Sequence, residues 1–123
     1  MNIVKLKVKL MDENEVLSNL EVEGYHHKEK RMISYIEPDY RKTMVEFHYE
    51  QNKMIRDNAE LYFDLNFVLN KEVKNKFRSK DLNKDIEMKT YTTRLEKRDG
   101  ITIIEYNLED KHYKLEITME ELV

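Results

Sequence analysis

Apolar residues recur at every second position along most of this 123-residue chain. Successive side chains of a β-strand point to opposite faces of the sheet, so this period predicts strands with one buried and one solvated face. The pattern starts at the N-terminus, where apolar residues alternate with lysines: Val4, Lys5, Leu6, Lys7, Val8, Lys9 and Leu10.

Short turn signals divide the alternating pattern into hairpins. The acidic run 12–14 separates the first strand from a second, in which Leu20, Val22 and Gly24 alternate with Glu21 and Glu23. Lysines on one strand and glutamates on the next are expected to pair across the outer face of this hairpin. Asp99-Gly100 is a strong signal for a second hairpin near the C-terminus.

Further strands are expected over 31–37, which ends at the chain's single proline, and over 42–50. Asn and Asp tolerate the backbone angles of tight turns, so Asp57-Asn58 is interpreted as a turn after the strand Met54–Arg56. The cleanest alternation runs over nine residues, and its apolar row is interpreted as core: Leu61, Phe63, Leu65, Phe67 and Leu69.

Residues 70–84 are ambiguous. Val73 and Phe77 lie four positions apart, as do Leu82 and Ile86, which is compatible with a short helix. A polar strand followed by a loop fits the same residues equally well.

The whole pattern predicts an all-β protein of about 8–10 short antiparallel strands. A sandwich and a closed barrel both fit, but hairpin following hairpin without long crossovers favours a single meandering antiparallel β-barrel. Residues 1–123 contain no linker, repeat or low-complexity segment, so one domain is expected.

Composition excludes several classes of chemistry. There is no cysteine, and therefore no disulfide, thiolate nucleophile or cysteine metal site. Two glycines cannot build a dinucleotide or Walker-type phosphate loop. No apolar run approaches the length of a membrane span, and the alternating N-terminus is unlike a signal peptide. We therefore expect a soluble, cytoplasmic protein that uses no cofactor and no membrane.

Seven short segments give the chain a recognisable order. They are V-E-G-Y at 22–25, I-S-Y-I-E at 33–37, I-R-D-N at 55–58, N-F-V at 66–68, I-E-M-K-T at 86–90, G-I-T-I-I-E-Y-N-L at 100–108 and Y-K-L-E-I-T-M-E-E at 113–121. In this order and spacing the chain resembles the YwiB-like family of small bacterial proteins. The resemblance covers nearly the whole chain and implies a lipocalin-like (calycin-type) β-barrel with no established activity.

Two segments depart from that family's pattern. The family's usual Arg-x-Gly turn is replaced by Arg56-Asp57-Asn58, and Asn can take the left-handed conformation, so a turn is still expected there. Residues 70–84 lack the usual glycine and are unusually basic, but the resemblance favours a strand there.

Tyr35, Glu37 and Arg56 are the candidate ligand-binding residues. Tyr35 and Glu37 share one face of a strand, and small barrels use a few polar groups among apolar ones to orient a ligand. This hypothesis predicts an interior cavity lined by Tyr35 and Arg56 with Glu37 close by. The alternative is that Arg56 and Glu37 form a structural ion pair.

A basic stretch over 71–84 suggests an outer-surface partner instead, either RNA or a protein. Its candidate nucleic-acid contacts are Lys74, Lys76, Phe77 and Arg78, because phosphates attract cations and single strands stack on aromatic rings. The sequence pI of about 5.9 argues against nucleic acid.

Nothing in the sequence argues for an enzyme or a metal site. The histidines, including the adjacent pair His26-His27, show no converging set of three or four ligands, and Ser34 has no recognisable base. We therefore expect non-catalytic binding of a small, partly apolar ligand by a monomer or homodimer.

Overall fold

The computed structural model describes residues 1–122, which form a closed barrel of ten antiparallel strands. This part of the chain contains no helix, and so it contains no helix that could span a membrane. The strands are β1 Asn2–Met11, β2 Val16–His27, β3 Met32–Ile36, β4 Met44–His48, β5 Lys53–Asp57, β6 Leu61–Asn66, β7 Glu72–Ser79, β8 Lys84–Arg98, β9 Ile101–Leu108 and β10 Lys111–Glu121.

Each strand pairs with the next one along the chain, and β1 closes the barrel by pairing with β10 as well as β2. The prediction of an all-β meandering antiparallel barrel is confirmed. Residues 72–79 form a strand, so the ambiguity over 70–84 resolves as strand and loop. Closure gives every strand two neighbours over at least part of its length.

The period-two pattern separates the inside of the barrel from the outside. Val4, Leu6 and Val8 are buried in the core, while Lys5 lies on the outer face and contacts Glu21 at 2.6 Å between Nζ and Oε1. Cross-strand pairing of lysine and glutamate therefore occurs as the sequence indicates, although an exposed pair of this kind contributes little stability.

Aromatic side chains pack together in the centre of the barrel. The rings of Phe67 and Tyr106 lie 5.0 Å apart, and those of Tyr106 and Tyr113 lie 5.6 Å apart, measured between centroids. Phe67 and Tyr106 are buried. Such ring pairs add stability beyond the area that they bury.

Strand β6 is shorter than the alternation over 61–69 suggests. Beyond Asn66 the chain leaves the ladder, and the Phe67 amide donates to the Asn52 carbonyl at 2.8 Å. Asn70 takes a positive φ of 59°, which turns the chain into β7. Leu69 is consequently exposed, so the expectation that the whole apolar row lies in the core is wrong.

One part of the barrel wall is weakly closed. The ladder between β2 and β3, which we call the seam, contains only the pairs Tyr25–Ser34, His26–Ile33 and His27–Met32. Above the seam, the long first half of β2 pairs with β1 alone. On the other side β3 ends, and the chain continues into the loop 37–43.

Candidate ligand-binding site

A groove of about 560 Å³ lies over the seam on the outer face of the barrel. Register places its outward-facing lining residues on neighbouring strands, because Tyr25 pairs with both Ile3 and Ser34, and Ser34 pairs with Glu46. We call this concavity the seam groove. Its lining residues are Ile3, Glu23, Gly24, Tyr25, His27, Lys30, Met32, Ser34, Tyr35, Ile36, Met44 and Glu46.

The seam groove is apolar where an outer face is normally polar. Four of its large hydrophobic side chains keep about half of their surface in contact with solvent: Ile3 at 50%, Tyr25 at 46%, Ile36 at 53% and Met44 at 51%. Met32 also lines the groove and is almost fully buried at 6%. Exposed apolar side chains gathered in one concavity are a feature of binding sites.

Gly24 allows β2 and β3 to approach closely at the base of the groove. A Cβ atom at this position would lie 2.5 Å from the Ser34 carbonyl oxygen and 2.7 Å from Leu6 Cδ1. It would also lie 3.2 Å from Tyr35 Cβ. Gly24 and Tyr35 both line the groove, and the absence of a side chain at Gly24 lets the two residues pack closely there.

A few polar groups line the groove among the apolar ones. His27 Nε2 and Ser34 Oγ are 2.9 Å apart, and Glu46 Oε1 lies 3.2 Å from His48 Nε2. Glu23 is exposed at the upper edge and Lys30 is exposed at the lower edge. A largely apolar lining with a small number of placed polar groups is the usual composition of a ligand site.

Arg56 and Glu37 meet on the inner side of the wall. Register links Tyr35 to Val45 and Val45 to Arg56, so these three side chains form one inward-facing row. The Arg56 guanidinium donates to the Glu37 carboxylate, and both side chains remain partly exposed. The structural ion pair that the sequence left open is therefore present.

The buried tyrosines Tyr35 and Tyr106 are held in their neutral form. Burial raises the pKa of Tyr35 well above its ordinary value, and the nearby Glu37 carboxylate adds to the rise. Burial also raises the pKa of Tyr106 to about 12, assisted by Tyr113. The positive charge of Arg56 opposes the rise in both pKa values.

The three predicted ligand residues do not line one cavity. Tyr35 lines the seam groove, whereas Arg56 lines a separate cleft of about 110 Å³ under the loop 37–43, and Glu37 lines neither. Phe67 and Tyr106 fill the barrel centre, and Phe63 packs against Phe77 at 4.2 Å between centroids. This packing does not favour a ligand in the middle of the barrel.

The basic stretch is divided between the two faces of β7. Lys74, Lys76 and Arg78 are exposed or partly exposed on the outer face, and Arg78 contacts Asp85 at 2.9 Å between Nη1 and Oδ1. Phe77 points to the inner face, where it contacts Phe63. An aromatic platform beside these cations is therefore not formed by Phe77.

The histidines are spread around the barrel. His26 is buried, with Nδ1 2.9 Å from Glu121 Oε1 and Nε2 2.9 Å from the Tyr49 hydroxyl. Within residues 1–122 no three His, Asp or Glu side chains are arranged to hold a metal ion.

Sequence reasoning missed Ile3, Tyr25, Ile36 and Met44 as site residues. The signal was present in the alternation, because each of these residues falls on the outward parity of its strand, where charged residues usually stand. The pattern predicts which face each residue occupies. It does not predict that four strands bring them into one groove.

Comparison with solved structures gives a match along almost the whole chain. The chain superposes on the crystal structure of ywiB protein from Bacillus subtilis with a TM-score of 0.70 and 18% sequence identity. The match covers 98% of this chain and 91% of that chain. No protein-family model matches, and no curated protein sequence matches significantly. At this identity the likeness shows the fold alone, and the chain has a YwiB-like β-barrel fold.

Proposed function

We propose that this protein is a non-catalytic binding protein, and that its ligand is a small, partly apolar molecule held in the seam groove. The observation that carries the proposal is the groove itself, about 560 Å³ in volume and lined by four half-exposed hydrophobic side chains. Ligand pockets commonly measure about 300–1,000 Å³ and are mostly apolar.

The charges around the groove favour a particular kind of polar group on the ligand. Glu23 on β2 and Glu46 on β4 line the groove, and Lys30 lies at its lower edge. Two carboxylates against one ammonium give a net negative surface, which favours a neutral or positively charged group. The Ser34 hydroxyl at the centre supplies a hydrogen-bonding partner.

The seam groove is a better location than the interior. The cleft beside Arg56 is about 110 Å³, which is below the usual range for small-molecule sites. The Arg56 guanidinium is already engaged by Glu37. The resemblance to lipocalin-like barrels supports a binding role. We place the ligand in the groove on the outer wall and not in the lumen of the barrel.

Native mass spectrometry of protein taken directly from cells tests the proposal. We expect the wild-type protein to carry a bound species of small mass that dissociates on collisional activation. Ile36→Arg places a charged side chain in the groove at a half-exposed position and should abolish the bound species. Leu82→Arg is the matched control, because Leu82 is 74% exposed and lies on a distant loop.

The variants also define the contrary result. A bound species that survives in Ile36→Arg with unchanged occupancy would place the ligand elsewhere. If the wild-type protein carries nothing, a titration with the neutral fluorophore N-phenyl-1-naphthylamine decides the matter. Equal fluorescence enhancement by wild type and Ile36→Arg would then contradict a site in the groove.

A further inference from the structure

The first half of β2 is a free strand edge in an otherwise closed barrel. Residues 16–23 pair with β1 on one side, and within residues 1–122 no ladder forms on the other side. In a sheet, each strand directs alternate backbone N–H and C=O groups towards each neighbour. The edge of β2 that faces away from β1 therefore presents a row of backbone groups, and another extended chain can pair with them.

The side chains next to this edge are only partly covered. Leu20 and Val22 face the barrel interior but are not fully buried, although they pack against the core. Val16 and Leu17 keep 48% and 45% of their surface exposed. The wall is thus incomplete where β2 has no second neighbour, and an added strand would cover apolar surface as well as backbone.

The outer face of the same edge is acidic. Glu21 and Glu23 are exposed there, and Glu13 and Glu15 lie at the turn between β1 and β2. On the other side of β2, the partner strand β1 meets these glutamates with Lys5 and Lys7. A strand added at the free edge would therefore also complement these glutamates best if it carried basic residues.

We propose that the free edge of β2, residues 16–22, binds an extended segment of a partner protein by adding a strand to the sheet. The segment alternates apolar residues, which cover Leu20 and Val22, with lysines or arginines, which face Glu21 and Glu23. Backbone hydrogen bonds supply much of the affinity in this mode of recognition, and alternate side chains supply the specificity.

A second copy of this chain fits the edge less well. Antiparallel pairing of two β2 edges would gather Glu21 and Glu23 of both copies on one outer face. Like charges on neighbouring strands are destabilising. A basic partner strand replaces that repulsion with attraction.

Hydrogen exchange with a synthetic peptide tests the inference. The probe is acetylated Val-Lys-Leu-Lys-Val-Lys-Leu, the sequence of residues 4–10 that already complements β2 on its other edge. At about ten times its Kd, the peptide should slow exchange of those amides in residues 16–22 that point to the free edge by about tenfold, because bound protein is protected. Exchange in β1 should not change, which excludes displacement of β1 by the peptide.

Charge-reversed pairs test the specificity. Glu21→Lys should weaken binding of the basic peptide by about tenfold, which corresponds to about 1.4 kcal/mol. The same variant should gain affinity for a peptide with glutamates in place of the lysines. Glu87→Lys, an exposed change on the outer face of β8, is the matched control and should bind the basic peptide as the wild type does.

Three results would overturn the inference. These are protection located outside residues 16–22, equal binding by Glu21→Lys and wild type, or protection of β2 that rises with protein concentration when no peptide is present. The last would assign the edge to a second copy of the chain. Ile36→Arg separates this inference from the proposed function, because it should remove the small ligand and leave protection of 16–22 intact.

Discussion

At the residue scale, Gly24 controls how closely β2 and β3 can pack at the seam. A methyl group there would lie 2.5 Å from the Ser34 carbonyl oxygen, and that backbone atom has little room to move. We expect Gly24→Ala to lower the free energy of unfolding by about 2 kcal/mol, as overpacked core positions do. Urea denaturation measures this change.

The neighbouring position supplies the control for that substitution. Glu23 is exposed, and Glu23→Ala should change the free energy of unfolding by less than about 0.5 kcal/mol. If both variants have the stability of the wild type, the strands are not packed as tightly at Gly24 as the structure indicates.

The pairing of His26 with Glu121 predicts an acid-sensitive contact between β2 and β10. The Glu121 carboxylate can only accept, so His26 Nδ1 carries a proton and donates to it, while Nε2 lies 2.9 Å from the Tyr49 hydroxyl. The hydrogen bond from His26 holds the pKa of Glu121 below its ordinary 4.5. This contribution to stability is complete above that ordinary value and disappears as pH falls through the lowered pKa.

Glu121→Gln should therefore make the free energy of unfolding depend less steeply on pH in the acid range. We expect the variant to lose less stability than the wild type between about pH 5 and about pH 3. Thermal unfolding across this range measures the difference. Glu120→Gln, on the exposed outer face, is the control, and identical pH profiles for Glu121→Gln and wild type would contradict the role of the pair.

Residue-level expectations from sequence succeeded where the local chemistry decides the conformation. Asp99-Gly100 forms the expected hairpin, with Gly100 at a φ of 78°. The turn at Asp57-Asn58 is present, but Asn58 does not use the left-handed conformation that Asn can take, because its φ is not positive. Its side-chain oxygen instead accepts from the amides of Glu60 and Leu61, both at 2.9 Å. In a turn, Asn can adopt a left-handed backbone or accept backbone hydrogen bonds with its side chain, and the sequence does not indicate which of the two occurs.

At the element scale, a buried amide cluster joins β6, β7 and β8. Asn75 Nδ2 donates to Thr90 Oγ1 at 2.7 Å, and Asn75 Oδ1 accepts from the Asn66 backbone amide at 3.0 Å. Asn75→Leu would leave the buried Thr90 hydroxyl and the partly buried Asn66 amide without these bonds. We expect it to lower the free energy of unfolding by about 2 kcal/mol or more.

The adjacent exposed position gives a matched comparison for the amide cluster. Lys74→Leu introduces the same side chain on the outer face of β7 and should change the free energy of unfolding by less than about 0.5 kcal/mol. Denaturation of the two variants side by side checks the difference. Equal losses would show that the cluster is not what holds these strands together.

The lengths of the elements were harder to predict than their existence. The strands over 31–37 and 42–50 exist but occupy only 32–36 and 44–48, since the chain leaves the ladder for turns at both ends. The alternation over 61–69 continues past the end of β6. The period of the side chains indicates which face of the sheet a residue occupies. It does not indicate where the strand ends, because that depends on the backbone hydrogen bonds, such as the one from the Phe67 amide to the Asn52 carbonyl.

At the scale of the whole molecule, the order of hairpins predicts the barrel but does not predict the seam, the short ladder between β2 and β3. Closure follows from β1 pairing with β10, a contact between the two ends of the described chain that local pattern does not contain. The seam and its groove depend on how strands of unequal length meet. Tyr35 was a candidate because of its place beside Glu37, whereas the structure places it in the lining of the groove, close to Gly24 on β2.

The central claim is that a small, partly apolar ligand binds in the seam groove, and methionine-methyl NMR tests it most directly. Met32 and Met44 line the groove, whereas Met54 lies in the core and Met88 faces the interior. On titration with N-phenyl-1-naphthylamine, the account predicts saturable shifts of the Met32 and Met44 methyl signals, with Met54 and Met88 unchanged. Shifts at Met54 and Met88 with none at Met32 and Met44 would contradict it, because the ligand would then lie inside the barrel.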